Sequence, residues 1–140
     1  MENIKGLDNV MKNLNAEIRA IEGRTGQGLI EAGILIRRDM DMTPPLIPID
    51  TGNLRQSWFS TLFKKMSQIG IIIGFSSNYA VFVHENVDAD FTSPRWRQKK
   101  GKKKYWYTPR AGAGAKFFES SIKRNEKRIL ATIAKHAKIK

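Results

Sequence analysis

The groups able to do acid-base or metal chemistry crowd into one short stretch, His84 and Glu85 with Asp88 and Asp90 close behind. An imidazole and three carboxylates could hold a divalent cation or move a proton. Such a site needs ligands converging from different elements, or a pocket that perturbs their pKa values, and neighbours in sequence guarantee neither. Solvated loop polarity is the simpler reading. His136 lies in a lysine-rich C-terminal segment with no carboxylate near it in sequence, and reads as a surface residue. The chain has no cysteine, which excludes disulfides, thiolate catalysis and Cys-based zinc or iron-sulfur sites. Gly23, Gly26 and Gly28 lack the dinucleotide-binding spacing, and no Gly-Lys-Ser/Thr follows any glycine. Gly112-Ala113-Gly114-Ala115 could cradle an anion ahead of a helix, but a flexible lead-in is the plainer account. No catalytic residue, cofactor or metal is expected.

A stronger pattern is basic and aromatic. Arg95, Trp96, Arg97, Lys99 and Lys100 stand before Gly101, and Lys102, Lys103, Lys104, Tyr105, Trp106 and Tyr107 follow it. Lysine and arginine neutralise phosphate while tryptophan and tyrosine stack on unpaired bases, which suits nucleic acid. The same residues suit an arm inserted between subunits, because aromatics and arginine concentrate in interface cores. Composition leaves both open. The net charge of +12, from 25 Lys and Arg against 13 Asp and Glu, belongs to one half of the chain. Residues 86–140 hold 16 basic and four acidic groups, whereas residues 1–85 hold nine of each. Clustered like charge marks a surface that faces phosphate, anionic lipid or an acidic partner.

The elements that must carry these residues are legible in outline. With 140 residues, 41% hydrophobic and 27% charged, the chain reads as one folded domain, 1–140. Ile4, Leu7, Val10 or Met11, Leu14, Ile18 and Ile21 recur every three or four residues and predict an amphipathic helix over about 5–22. Gly23, Gly26 and Gly28 interrupt it, and a second, more buried helix runs from Leu29 to Met42 until Pro44 and Pro45 stop it. Pro48-Ile49-Asp50-Thr51-Gly52-Asn53-Leu54-Arg55 is a compact turn, with Asp50 or Thr51 able to accept backbone amides and Gly52 able to take a positive φ. Ser57–Phe63 and Ile69–Phe75 predict an antiparallel hairpin turning at 64–68. Tyr79 to Val83 is a helical turn or a third strand. Residues 86–112 form an extended loop or hairpin arm turning at Gly101-Lys102, and a final helix follows Ala113, with Phe117 or Phe118, Ile122, Ile129 or Leu130 and Ile133 on one side. The fold class is α+β: N-terminal helices, a small antiparallel β-sheet, a long basic-aromatic loop or hairpin arm, and a C-terminal helix. The longest strongly apolar stretch, Ile69–Phe75, is seven residues against the roughly 20 that cross a bilayer, and Met1-Glu2-Asn3 begins no signal pattern. No membrane partner is expected, and the chain is expected to be intracellular when made.

One run of residues reaches a family. Pro48 to Ser57 is followed by Ile73-Gly74-Phe75 and then by Asn78-Tyr79-Ala80-Val81-Phe82-Val83-His84-Glu85. This order resembles the tail-component, or tail-completion, proteins of lambdoid long-tailed phages, a family also described as head-tail joining, neck or minor capsid proteins. Lys116-Phe117-Phe118-Glu119 stands where that family's final helix begins, without its usual proline, and Asn86-Val87 replaces its glycine-threonine. The resemblance implies a non-enzymatic virion protein, made in the host cytoplasm, that forms a homo-oligomeric ring, hexameric by expectation, at the head-tail junction. It implies connector and tail-tube or tail-terminator proteins as neighbours, and double-stranded DNA passing through without base readout. Asp50, Thr51, Gly52, Leu54 and Arg55 would then be structural, Asp50 capping the turn and Arg55 available to a carboxylate within or between subunits. The alternative is a sequence-independent nucleic-acid-binding protein using residues 95–107 and the C-terminal helix.

Overall fold

The computed structural model describes residues 6–49, 52–66, 68–91, 93–98 and 100–138, with Tyr105 described by its backbone alone. Its elements run α1 (Leu7–Met42), α2 (Asn53–Gln56), β1 (Trp58–Lys65), β2 (Gln68–Phe75), α3 (Ala80–Glu85), β3 (Arg95–Arg97), β4 (Tyr105–Tyr107) and α4 (Phe117–Ala137). The architecture is α+β, with helices, small antiparallel hairpins and a C-terminal helix.

One expectation fails at the start. The N-terminal region is a single helix of 36 residues, not two helices divided at Gly23–Gly28. Gly26 and Gly28 stay helical because tertiary contact outweighs their poor propensity. A Cβ built on Gly28 would lie 3.0 Å from the His136 Cβ and 3.1 Å from the Ile133 Cα, so the missing side chain is what lets α4 come so close. Gly26 similarly faces Leu62 and Ile69 of the hairpin. α4 lies antiparallel to the C-terminal half of α1: Arg24 meets Lys138, Ile36 meets Ser121, and Asp39 meets Arg124.

β1 and β2 pair antiparallel from Trp58↔Phe75 to Lys65↔Gln68, two residues past Phe63 and one before Ile69 at the turn, with the first strand starting at Trp58 rather than Ser57. Side chains directly opposite share a face. Leu62, Ile69, Ile71 and Ile73 turn to the glycine side of α1, whereas Phe59, Phe63 and Ile72 form the outer face. The stretch Tyr79–Val83 resolves as helix, α3, rather than a strand. β3 and β4 form the arm's own hairpin, Arg95↔Tyr107, Trp96↔Trp106 and Arg97↔Tyr105, with Gly101 at φ +75° in the turn.

The core is small. Ile36, Met40, Ile47, Leu54, Ala80 and Phe117 are buried together, and Trp58, Phe75 and Phe118 close over them in edge-on ring contacts. Two polar side chains inside it are satisfied: Ser121 Oγ donates to the Ile36 carbonyl at 3.2 Å and Asn125 Nδ2 to the Ser121 carbonyl at 2.9 Å. Such pairing is what makes burial of a polar group tolerable. No helix among the described residues is long and apolar enough to cross a membrane.

Candidate interaction surface

The turn segment is held by an arginine cluster. Of its predicted residues, Asp50 and Thr51 lie outside the described residues. Gly52 has φ +81°, a left-handed conformation that only glycine adopts freely, and it starts α2. Leu54 is buried in the core. Arg55 finds its carboxylate within the chain: Nε donates to Asp41 Oδ1 at 3.0 Å and Nη2 to Oδ2 at 3.1 Å, a fork-to-fork pair. Arg37, one helical turn before Asp41, donates to Oδ2 at 2.6 Å, and Arg110, three residues past β4 at the base of the arm, donates to Oδ1 at 3.1 Å. Arg110 also bonds the Asp41 carbonyl. Burial opposes the Asp41 charge, yet hydrogen bonds from Arg55 and Arg110 and the charges of Arg37 and Arg55 outweigh it and hold its carboxyl below the usual range. Three guanidinium groups on one carboxylate join α1, α2 and the base of the arm. Arg55 is legible in the sequence, but its partner is not. The i, i+4 spacing of Arg37 and Asp41 was the readable signal.

The arm has two unlike faces. On one, the Trp96 and Trp106 rings meet edge-on at 5.4 Å and remain 65% and 55% exposed. On the other, the Arg97 guanidinium stacks 4.5 Å from the Tyr107 ring centre, with Arg95 at 5.9 Å, both within cation–π range. The Tyr107 hydroxyl donates to the Ile49 carbonyl at 2.5 Å, which ties the arm to the turn segment. At the arm's start, Ser93 N–H donates to Asp90 Oδ1 at 2.9 Å and Arg95 Nη1 to the Asp90 carbonyl at 2.7 Å. A cleft of about 220 Å³ lies beneath, lined in part by Pro48, Leu54, Tyr79, Phe91 and Arg95. Lys100, Lys102, Lys103 and Lys104 are exposed around the turn, and Lys99 lies outside the described residues. The arm thus holds an indole pair and a cluster of ammonium groups away from a fixed base.

The His84 group is dispersed. Glu119 N–H donates to His84 Nε2 at 3.3 Å, which leaves Nδ1 to carry the proton toward Glu85 Oε1 at 2.6 Å. The ring also stands edge-on to Phe117 at 5.1 Å. Glu85 pairs with Lys116, and that hydrogen bond, followed by the one from His84, lowers its pKa. Asp90 serves the arm's first turn instead. Among the described residues no three His, Asp or Glu side chains gather as a metal centre requires. His84 and Glu85 therefore fasten α3 to the start of α4. His136 contacts Glu31, a carboxylate 105 residues away in sequence that no local reading could supply.

Apolar surface is left uncovered elsewhere. Phe59, Phe63 and Ile72 stand on the outer face of the hairpin, Phe63 lying across Gly70 and Phe59 across Gly74. Val81 and Phe82 of α3 are 74% and 72% exposed. Exposed apolar side chains grouped in this way are candidates for contact with another molecule. Comparison of the chain with protein-family models, with curated proteins and with solved structures gives no match.

Proposed function

We propose that this chain is a structural virion protein of a tailed phage, a tail-completion or head-tail joining subunit. In this reading it closes with its own copies into a ring, six-fold, at the neck, between the connector and the tail-tube or tail-terminator proteins. It catalyses nothing; it joins rings and leaves a passage for DNA. The observation that carries the reading is the pairing of two unlike exposed surfaces on one small chain: an anchored arm offering Trp96 and Trp106, and an apolar sheet face built on Phe59, Phe63 and Ile72. A closed ring uses head-to-tail contacts, in which each subunit offers one surface to the neighbour ahead and a different one to the neighbour behind. The resemblance of residues 48–85 to the tail-completion family supports the same role. The chain is then found in the host cytoplasm before assembly and in the virion neck after it. Replacing residues 91–107 with a short glycine-serine turn tests this. The expected product is a folded protein that no longer forms rings, and normal ring formation would show that the arm is not an interface.

A second reading rests on the arm's lysines. With Lys100, Lys102, Lys103 and Lys104 exposed beside two open indoles, the chain could bind nucleic acid without reading its sequence, in the ring or alone. Affinity that falls steeply with salt would favour it.

A further inference from the structure

α1 runs on past every described element that packs against it. α4 stops level with Arg24, whose Nη2 donates to the Lys138 carbonyl at 3.2 Å. The β1–β2 hairpin reaches to Glu22, which pairs with Lys64. Residues 7–21 therefore project as about 22 Å of helix with no covering layer among the described residues.

The apolar positions do not stop where the cover does. Leu7, Met11, Leu14, Ile18 and Ile21 alternate spacings of four and three, and the series continues in phase through Thr25 to Gly28 and Ala32, which are buried. Leu7, Met11, Leu14 and Ile18 are 45–51% exposed, and Val10 beside them 62%. A seven-residue repeat of this kind is the seam on which two helices interlock.

The charges beside the seam complement themselves. Turned end for end about Leu14, the segment sets Leu7 opposite Ile21 and Val10 opposite Ile18, and brings Asp8 level with Arg19 on the same side of the pair. A parallel pair in register would leave Asp8 and Arg19 about 16 Å apart along the axis. Two bases and two acids cancel over residues 7–21, so the segment offers nothing to attract DNA. An antiparallel copy would also begin opposite Ile21, where α4 ends, and carry the same layer onward. Its N-terminus, with Asp8 in the first turn, would meet the α4 C-terminus, with Lys135 and His136 in the last turn. Helix dipoles and charges favour that junction.

We propose that a second copy of this chain covers the seam, in a two-fold antiparallel α1–α1 pair centred on Leu14. Such a contact is isologous and joins chains in twos, so a head-to-tail ring would use other surfaces. The pair stands or falls separately from the ring.

The absence of cysteine makes the test direct. In the full-length protein under mild oxidation, Leu14→Cys is expected to form a disulfide-linked dimer, because a residue at a two-fold centre meets its own copy. Ala16→Cys, on the opposite side of the helix, is expected to stay monomeric on a denaturing gel. By sedimentation, Asp8→Arg and Arg19→Asp should each weaken the dimer several-fold, and the two together should restore it. All four sites lie outside the core, and circular dichroism should confirm unchanged helix content. A wild-type chain that sediments as a monomer at 100 micromolar would overturn the proposal. So would equal cross-linking at both cysteines, or an oligomer indifferent to the charge reversals.

Discussion

Arg55 and Asp41 meet fork to fork, Nε on Oδ1 at 3.0 Å and Nη2 on Oδ2 at 3.1 Å, and the pair pins the turn before β1 to the last turn of α1. Arg37 and Arg110 complete the ring of donors around the same carboxylate. The arm leaves the core within three residues of Arg110, so the carboxylate fixes the base from which Trp96 and Trp106 are held out.

Replacing Asp41 by Asn leaves three guanidinium groups around a neutral amide. The expected loss is about 2 kcal/mol, since half-buried charges lose their counter-charge and hydrogen bonds together. Denaturant unfolding at neutral pH measures it, and a loss under 0.5 kcal/mol would show the cluster to be surface decoration.

The same carboxylate sets an acid limit on stability. Its folded pKa lies below the ordinary 3.8, so its contribution is complete above pH 3.8 and is lost as pH falls through the lower, folded value. Asp39, opposed by burial but hydrogen-bonded and charge-paired by Arg124, is lowered as well and acts in the same window. Unfolding followed from pH 6 to pH 2 should decline less steeply in Asp41→Asn than in the wild type, and parallel curves would contradict the assignment.

Gly23 and Gly28 should respond to alanine with opposite signs. No atom lies within 4 Å of a Cβ on Gly23, so alanine there gains roughly 0.5–1 kcal/mol from helix propensity. At Gly28 the new methyl meets the Ile133 backbone, and overpacking of about 1–3 kcal/mol outweighs that gain. Two thermal melts decide it; stabilisation by both would mean that α4 yields easily.

Tyr107→Phe removes one hydroxyl donor from the Ile49 carbonyl and leaves the ring under Arg97. The expected cost is about 0.5–1.5 kcal/mol, together with faster amide exchange across β3 and β4. Trp96→Ala with Trp106→Ala should change stability by about 1 kcal/mol at most, because both rings are largely in solvent, while abolishing whatever the arm binds. Retained ring formation and DNA binding would leave the indoles without a role.

Where local pattern carries the information, the sequence is a good guide. The β1–β2 hairpin follows from β-branched runs around a polar turn, the arm's hairpin from Gly101, and α4 from the stripe through Phe117 and Ile133. The division of α1 at Gly23–Gly28 fails because a glycine that breaks a helix and a glycine that admits a neighbouring helix look alike until α4 is in place. The partners of Arg55 and His136 are invisible for a related reason: Asp41 and Glu31 are brought to them by tertiary folding. The exposed seam of α1 was legible as an amphipathic stripe, but only the end of α4 at Arg24 shows that half of it is uncovered.

The central claim is a ring at the neck of a phage particle, and cryo-electron microscopy of the virion carrying this protein tests it most directly. The expected density is a closed ring of copies between portal and tail tube, recognisable by the side chains of Trp58, Trp96 and Trp106, with the arm of each copy on its neighbour or toward the DNA. Absence of the chain from the particle would contradict it and leave the free nucleic-acid-binding protein as the better reading.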